Sequence, residues 1–286
     1  MNKGVLIFAH NSRQVDYALM AIVAGGLAKK NLQVPVSLVT DESTLEWMKI
    51  SKTISKAKTV FDKIIEVKKP VTSNQRLLVD AYTSKMVPFV NLNRSSAWDI
   101  TPYERTLLID SDYLVQSTNL SEYWDADSDF MIAPSMNDIR GDRIGVLDKH
   151  VSETGIPLCW ATTVMFTKNK KTKLVFNLVE YIKDNYANYA DLFRFNPNIY
   201  RNDIAFSIAL HMLDGFEHSD YNYLPPVLTA SGKDVIYEVM DNKIKLLIND
   251  DMSEDNVVAT TISKRDIHVM NKQSIVRHAK EFMSLI

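Results

Sequence analysis

Leu107-Leu108-Ile109-Asp110-Ser111-Asp112 is an apolar run that ends in two aspartates. Residues 105–109 (RTLLI) show the continuous apolar pattern of a strand that is buried on both faces of a parallel sheet. Because side chains alternate faces along an extended segment, Asp110 and Asp112 are expected to point the same way. Two carboxylates at the end of a buried strand can hold a divalent cation, which can in turn neutralise a diphosphate.

Strand and helix patterns alternate on both sides of this run. The strands that the sequence predicts are residues 4–9, 34–39, 63–67, 105–109, 129–133 and 164–167. The helices that it predicts are residues 15–30, 44–50, 74–92, 171–185 and 204–212. A hairpin at 235–239 and 245–248, a strand at 257–263 and a C-terminal helix follow. Strands separated by helices predict a parallel sheet whose ligands bind beyond the C-terminal ends of the strands.

Composition narrows the class of protein. A chain of 286 residues is long enough for one large α/β domain. The formal net charge of −2 gives no overall basic field, so a nucleic-acid partner would need a local patch. Cys159 is the single cysteine, which excludes an internal disulfide.

The longest apolar run, 18–28, is too short to cross a bilayer, and residues 4–9 follow no signal-peptide pattern. We expect a cytoplasmic protein without a membrane span, whose oligomeric state the sequence does not indicate.

The spacing of the two aspartates leaves two interpretations open. An Asp-x-Asp pattern arises about once by chance in a chain of this length, so Asp110 and Asp112 fit a strand-ending turn as well as a metal site. A second cluster, Asp125, Asp127 and Asp129, does not fit a calcium loop, because the required glycine and closing glutamate are missing. We expect that second cluster to be a solvated turn.

Residues 104–115 (ERTLLIDSDYLV) resemble the DxD region of GT-A glycosyltransferases. They are most similar to glycosyltransferase family 8, the group of glycogenin and the lipopolysaccharide galactosyltransferases. The resemblance implies an α/β, GT-A fold, the Rossmann-like fold of nucleotide-diphospho-sugar transferases, with a mostly parallel central sheet flanked by helices. It also implies one domain over 1–286, with a nucleotide-sugar-binding half (1–115) and an acceptor-side half (116–286) that ends in a metal-ligand segment.

The same resemblance implies a metal site. In the family the two aspartates bind Mn²⁺, so Asp110 and Asp112 are expected to hold Mn²⁺ (or Mg²⁺). The family completes this site with a histidine from a C-terminal pattern resembling H-x-x-G-x-x-K-P-W. Here His268 is followed by Asn271, which can adopt a left-handed conformation like glycine, and by Lys272, without the trailing Pro-Trp. The implied roles are a metal ligand for His268 and a donor phosphate contact for Lys272.

The donor side is implied by shorter matches. Ala9-His10-Asn11 and Tyr17 lie where the family binds uridine and ribose, although Asn11 also fits an ordinary loop that caps a helix. Ser111 lies between the two aspartates and is assigned to the donor site with them. Lys85 matches a basic residue that the family carries on a helix and directs at the donor phosphates. A solvated lysine on an amphipathic helix is the alternative for Lys85.

The acceptor side departs from the family. Residues 157–166 resemble a stretch that normally reads N-(T/A)-G-(V/L), but Thr162-Thr163 replace the small pair, which suggests an unusual acceptor. Residues 201–210 resemble the family's D-Q-x-x-(F/L)-N helix start, so Asp203 is expected near the transferred sugar as the catalytic carboxylate. Asp203 also fits a helix N-cap, and the two roles are compatible.

The activity that the resemblance implies is metal-dependent transfer of a sugar from a nucleotide-diphospho-sugar, a UDP-sugar by family, with retention of configuration. The acceptor stays open among a glycan, a protein, a small molecule and a modified nucleic-acid base. A nucleotidyltransferase is disfavoured because residues 9–14 contain no glycine, and neither a Walker A nor a G-x-G-x-x-G motif is present. A catalytically silent GT-A domain that binds a nucleotide-sugar or glycan is the alternative, and metal-dependent hydrolysis of a sugar nucleotide would separate the two.

Overall fold

The structure is a computed structural model that describes residues 2–69, 74–81, 83–90, 93–153, 155–214, 223–249 and 257–286. Its strands are β1 (Lys3–Phe8), β2 (Val36–Thr40), β3 (Lys63–Glu66), β4 (Gln75–Asp80), β5 (Thr83–Pro88), β6 (Arg105–Ile109), β7 (Tyr113–Leu114), β8 (Phe130–Ala133), β9 (Met136–Asp138), β10 (Trp160–Thr167), β11 (Val227–Ala230), β12 (Val235–Met240), β13 (Lys243–Asn249), β14 (Val257–Ser263) and β15 (Ile267–Val269). Its helices are α1 (Tyr17–Leu32), α2 (Glu42–Ile50), α3 (Ile54–Val60), α4 (Ala97–Ile100), α5 (Lys170–Asp184), α6 (Tyr186–Phe193), α7 (Asn202–Leu213), α8 (Lys272–Arg277) and α9 (Ala279–Ser284).

The central sheet has the strand order β3-β2-β1-β6-β10-β8. Strands β3, β2, β1 and β6 pair in parallel. Strand β10 is antiparallel to both β6 and β8, so β8 runs in the direction of the parallel group. All residues of β2 and β6 are buried, as their continuous apolar patterns predict. The predicted α/β class, with a mostly parallel central sheet flanked by helices, is confirmed.

Helix α1 packs unusually close to its neighbours. It lies against β1 and β2 and also contacts α3 and α9, so it is buried nearly all round. A Cβ on Gly25 would lie 2.7 Å from the ring of Phe61, and one on Gly26 would lie 2.5 Å from the side chain of Ile286. The two glycines therefore allow the close approach that buries this helix. No helix in the described parts of the chain is long and apolar enough to span a bilayer.

A second layer of core surrounds α5 and α7. These helices pack on one another, and α7 contacts β10 of the central sheet. The ring of Phe176 packs edge-on against Phe166 at 4.7 Å and against Phe206 at 5.6 Å between centroids. Aromatic packing of this kind adds to the free energy of burial, and it fixes α7 relative to the end of β10.

A smaller sheet joins the C-terminal segment to the end of β6. Its strand order is β7-β15-β11-β9, and β15 pairs antiparallel to β7 with His268 opposite Tyr113. Asp266, just before β15, accepts hydrogen bonds from the backbone N–H groups of Gln116 and Ser117, both at 2.8 Å. The residues after β6 and the residues around 268 therefore lie side by side although they are about 150 positions apart.

The predicted helix at 74–92 is wrong. The described residues of this region form the antiparallel hairpin of β4 and β5. Its apolar runs are short, and a short apolar run fits a strand as well as a helix. Long-range contacts favour the strands. Arg277 pairs with Asp80, and Val79 lies so close to Gly232 that a Cβ on this glycine would clash with the Val79 side chain.

The predicted hairpin near 240 and the strand at 257–263 are confirmed, as β12, β13 and β14 form one sheet.

Candidate active site

A cleft of ≈ 350 Å³ opens beyond the ends of β1 and β6, at the edge of the sheet where the sequence predicts a ligand. This is the size range of small-molecule sites. We call it the donor cleft, after the nucleotide-sugar donor that the sequence predicts there. Its lining includes Phe8, His10, Tyr17, Arg76, Phe89, Asn93, Arg94, Asp110, Ser111, Asp112, Trp160, Ala161, Thr162, Tyr200, Arg201, Asp203, His268 and Lys272.

Backbone hydrogen bonds hold the two aspartates at the end of β6. The N–H of Asp110 donates to the carbonyl of Thr162 on β10 at 3.1 Å, and the N–H of Tyr113 donates back to the carbonyl of Asp110. The carbonyl of Asp112 accepts from the N–H of Val269 at 2.9 Å. Both carboxylates are therefore placed by the neighbouring strands β10 and β15 and not by a free loop.

Asp110, Asp112 and His268 form a cluster with one potential ligand atom each, all within 4.8 Å of one another. The Nε2 atom of His268 lies 3.3 Å from a carboxylate oxygen of Asp112, while its Nδ1 atom is buried and has no partner among the described residues. Two carboxylates and one imidazole are a donor set that suits Mn²⁺ or Mg²⁺, so these residues can bind a metal ion. The expected convergence of the three residues is confirmed.

Two basic residues pair with these aspartates. The ammonium of Lys272, at the start of α8 and almost fully buried, forms an ion pair with Asp112. The guanidinium of Arg94 forms an ion pair with Asp110. The Nε and Nη2 atoms of Arg94 are buried and have no partner in the described parts of the chain. Because unpaired buried donors are costly, an anionic ligand that accepted hydrogen bonds from these atoms would be favoured.

Burial and charge act differently on the two aspartates. Burial raises the pKa of Asp110, and the nearby Arg94 offsets only part of this effect. Burial also opposes the charged form of Asp112, but Lys272 and His268 outweigh it and hold the pKa of Asp112 well below its usual value. Burial and the neighbouring Arg76 lower the pKa of Lys272 to about 8. Asp112 is therefore the carboxylate that stays ionised throughout the neutral range.

His10 is held at the cleft by hydrogen bonds on both ring nitrogens. Its Nδ1 lies 2.7 Å from a carboxylate oxygen of Asp41, and its Nε2 lies 2.8 Å from the side-chain amide of Asn93. Asp41 is buried, caps the start of α2 and also accepts from Thr44. Burial raises the pKa of Asp41, but hydrogen bonds from His10, Ser43 and Thr44 outweigh burial and lower it overall.

We expect Asp41→Ala to lower the free energy of unfolding by about 2–4 kcal/mol, because it removes a helix cap and leaves a buried histidine nitrogen unpaired. Since the pKa of Asp41 is lower in the folded state, its contribution is complete above the usual carboxyl pKa of 3.8 and is lost as the pH falls further. Urea unfolding at pH 7 and pH 3 measures both effects. Glu42→Ala, an exposed change in the same helix turn, should alter stability by less than about 0.5 kcal/mol.

The other residues expected on the donor side divide into two groups. Tyr17 and Ser111 line the donor cleft together with His10. Ala9, Asn11 and Lys85 are not among its lining residues. Asn11 accepts from the N–H of Ala18 at 2.7 Å and donates to Asp16, so its side chain organises the start of α1. Lys85 is exposed on β5 and not on a helix.

Asp203, the carboxylate that the sequence predicts near the transferred sugar, lies in the first turn of α7. Asp203 does not cap this helix, because the N-cap position belongs to Arg201. One oxygen of Asp203 accepts from the N–H of Ala161 at 2.8 Å, and the other lies 3.3 Å from the guanidinium of Arg201. These contacts hold the carboxylate between β10 and α7, where it lines the cleft.

Asn271 differs from expectation: its φ of −77° is not left-handed, and its side chain caps α8.

Sequence interpretation missed Arg76, Arg94 and Asp41. Arg94 lies 16 positions before Asp110, in the short 3₁₀ turn Arg94–Ser96. The incorrect helix at 74–92 made Lys85 the predicted phosphate contact instead of Arg94 or Arg76. Arg76 lies on β4 with its guanidinium 4.5 Å from the centre of the Phe89 ring. An arginine within a partly apolar segment, as in Gln75-Arg76-Leu77, was the signal that could have identified Arg76.

The structure is similar to three solved structures of glycosyltransferases. The first is GlyE of Streptococcus pneumoniae, at 17% identity over 78% of this chain and 45% of GlyE, with a TM-score of 0.42. The second is the galactosyltransferase LgtC with donor and acceptor sugar analogues, at 14% identity over 72% of this chain and 70% of LgtC, with a TM-score of 0.45. The third takes part in glycosylation of the major capsid of PBCV-1, at 11% identity over 79% of this chain and 83% of that one, with a TM-score of 0.36. The chain spans less than half the length of GlyE. No protein-family model and no curated protein matches the chain.

Proposed function

We propose that this chain is a GT-A glycosyltransferase, related to family 8, that transfers a sugar from a UDP-sugar to an acceptor in a metal-dependent reaction. The observation that carries the proposal is the meeting of Asp110, Asp112 and His268 with three basic residues at the C-terminal edge of the sheet. Carboxylates and imidazole suit a divalent cation, and the basic residues suit a diphosphate. A simple strand-ending turn would not bring these two sets of groups into one cleft.

The metal would be held by the two carboxylates and the imidazole of His268. A bound Mn²⁺ or Mg²⁺ supplies positive charge that stabilises the negative charge developing on the leaving diphosphate. The cluster fits such an ion, because its potential ligand atoms lie within 4.8 Å of one another and Asp112 stays ionised. Mn²⁺ is our first choice by resemblance to family 8.

Three cations of the chain would bind the diphosphate. Arg94 and Lys272 pair with the aspartates, and a metal ion held by those carboxylates would leave both cations free to bind the diphosphate. Arg76 lines the same cleft from the hairpin of β4 and β5. Preorganised cations in a site that excludes water stabilise developing charge more strongly than they would in bulk solvent. The three residues would thus favour cleavage of the bond between sugar and diphosphate.

The nucleoside would occupy the part of the cleft near β1. His10 is fixed there by Asp41 and Asn93, and the aromatic ring of Tyr17 lines the wall beside it. An aromatic face and a hydrogen-bonding ring suit a base and a ribose. Asp110 and Ser111 complete this side of the proposed donor site.

Asp203 would act on the acceptor. Its carboxylate is fixed by Ala161 and Arg201 and lines the same cleft as the metal cluster. The acceptor oxygen forms a bond to the anomeric carbon, the bond from that carbon to the diphosphate breaks, and Asp203 takes the acceptor proton. Retention of configuration, which the resemblance to family 8 implies, requires the acceptor oxygen to bond to the anomeric carbon on the face from which the diphosphate departs, because attack from the opposite face would invert that carbon.

The experiment that tests this function is release of UDP from a panel of UDP-sugars by the chelator-treated protein, with and without Mn²⁺. We expect hydrolysis of one UDP-sugar that needs Mn²⁺. Calorimetry with UDP and Mn²⁺ accompanies the panel. Binding without turnover, even with added acceptors, would favour the catalytically silent domain. If the protein binds neither UDP nor another nucleotide, the glycosyltransferase proposal is wrong.

A further inference from the structure

A second cavity, of ≈ 560 Å³, lies beside the donor cleft. Its walls come from residues 147, 150–153 and 158 and from six residues between 194 and 204, and it shares Ile199 and Arg201 with the donor cleft. Because Arg201 also contacts the carboxylate of Asp203, the second cavity begins next to the proposed catalytic group. A molecule bound there can reach the reacting centre without entering the nucleotide part of the donor cleft.

Two polar atoms in the wall of this cavity lack partners. The Oγ of Ser152 and the Nδ1 of His150 are buried and have no hydrogen-bond partner in the described residues. Ser152 is only 4% exposed, and a Cβ on Gly155 would come within 2.5 Å of its Oγ. The missing side chain at Gly155 therefore leaves room for this hydroxyl. Buried polar groups without partners are costly, which indicates a ligand that satisfies them.

The charges along the cavity are mainly positive. Arg194 follows α6 in a left-handed conformation, with φ of 61°, and is exposed at the edge of the cavity. Arg201 forms an ion pair with Asp203, and its guanidinium lies 5.7 Å from the centre of the Trp160 ring. Glu153 is the acidic residue of the lining, and it is exposed. Arginine guanidinium groups bind carboxylate and phosphate through paired hydrogen bonds.

We propose that the second cavity is the acceptor subsite and that it recognises an oxyanion, a carboxylate or phosphate, on the acceptor. This inference rests on the proposed function and adds the chemical class of the acceptor. Arg194 and the hydroxyl of Ser152 bind the oxyanion, and Arg201 connects this subsite to Asp203. The reacting hydroxyl of the acceptor then faces Asp203 while its charged end stays in the second cavity.

Saturation-transfer NMR with matched ligands tests the proposal. The probes are methyl glucuronide against methyl glucoside, and glycerol 3-phosphate against glycerol, each with the donor cleft saturated by UDP and Mn²⁺. The two pairs distinguish a carboxylate from a phosphate. We expect at least one anionic probe to bind about tenfold more tightly than its neutral partner, the usual gain from a charge-assisted hydrogen bond.

Variants locate the binding. Arg194→Gln and Ser152→Ala should each weaken the anionic probe about fivefold to tenfold, and Arg194→Lys should retain most of the binding. Lys58→Gln, an exposed change on α3, removes the same charge elsewhere and should leave the affinity unchanged. None of these changes should alter binding of UDP and Mn²⁺.

Three results would overturn the acceptor subsite. They are equal binding of the anionic and neutral probes, displacement of the anionic probe by UDP, and insensitivity of its binding to Arg194→Gln. Each can occur while UDP and Mn²⁺ bind normally, so the proposed glycosyltransferase would stand without this subsite. If UDP and Mn²⁺ do not bind, the proposed function fails, and probe binding that depends on Arg194 would then show an oxyanion site without a donor site.

Discussion

Asp112→Asn is expected to lower kcat/KM for the sugar donor about 10³-fold or more, which corresponds to about 4 kcal/mol of transition-state stabilisation. Asparagine has nearly the same shape but no charge. Asp112 is the carboxylate whose pKa is held well below its usual value, so the substitution removes a charged group from the proposed metal site. Without this charge a metal ion would be bound more weakly, and charge on the leaving diphosphate would be less well stabilised. Steady-state kinetics over a range of Mn²⁺ concentrations measures the loss.

The chain offers a matched control for this substitution. Asp127 is the middle residue of the second aspartate cluster, and it is exposed after the 3₁₀ segment Asn119–Asp125. Asp127→Asn removes the same charge from the same sequence pattern and should leave kcat/KM unchanged. Because Asp112 also pairs with Lys272, circular dichroism must show that the Asp112→Asn variant is folded. A folded Asp112→Asn variant with wild-type, Mn²⁺-dependent activity would contradict the metal site.

The central sheet could be predicted from sequence because its strands are buried on both faces. Residues 105–109 were predicted as a strand with the bounds that β6 has, since continuous apolar runs between turn signals have few alternatives. The strand also indicated where Asp110 and Asp112 lie, but the expected alternation was wrong: β6 ends at Ile109, and a turn closed by the N–H of Tyr113 and the carbonyl of Asp110 brings the two aspartates together. The contact of His268 with this pair did not follow from local pattern, and the resemblance to family 8 supplied it.

The hairpin of β4 and β5 could not be predicted in the same way. Its strands expose most of their residues, and Leu78 and Val87 are the buried side chains that anchor it. A half-buried hairpin is stabilised by contacts with distant parts of the chain, here with Arg277 and the loop at Gly232. Such contacts have no local signature, so periodicity favoured a helix and placed Lys85 on the wrong element.

The partners of the two aspartates show a second limit of sequence interpretation. Arg94 begins a short 3₁₀ turn just before α4, and nothing in its neighbouring sequence distinguishes it from a surface arginine. Its importance comes from burial beside Asp110, which depends on the packing of the 3₁₀ turn against α5. Charge pairing across 16 residues is a tertiary property. Sequence indicated where the acidic groups lie but not which basic groups compensate them.

Arg94→Met is expected to change metal binding and UDP binding in opposite directions. In the protein without ligands Arg94 pairs with Asp110, so it competes with a metal ion for that carboxylate. Its removal should make Mn²⁺ alone bind about tenfold more tightly, because one competing cation is lost. UDP in the presence of Mn²⁺ should bind about tenfold to a hundredfold more weakly, because a buried cation facing the diphosphate is also lost. Isothermal titration calorimetry measures both affinities.

The stability of the same variant gives an independent test. Removing one partner of a buried ion pair leaves the other uncompensated, which lowers the free energy of unfolding. Because 32% of the Asp110 side chain is exposed, we expect a loss of only about 2 kcal/mol. Mn²⁺ should then stabilise Arg94→Met more than it stabilises the wild type, because a ligand that binds the folded state more tightly raises its stability more. Lys58→Met removes a distant exposed charge and should respond to Mn²⁺ as the wild type does. Equal stabilisation of Arg94→Met and wild type by Mn²⁺ would show that Asp110 does not bind the ion, which would leave Asp112 and His268 as its ligands from this cluster.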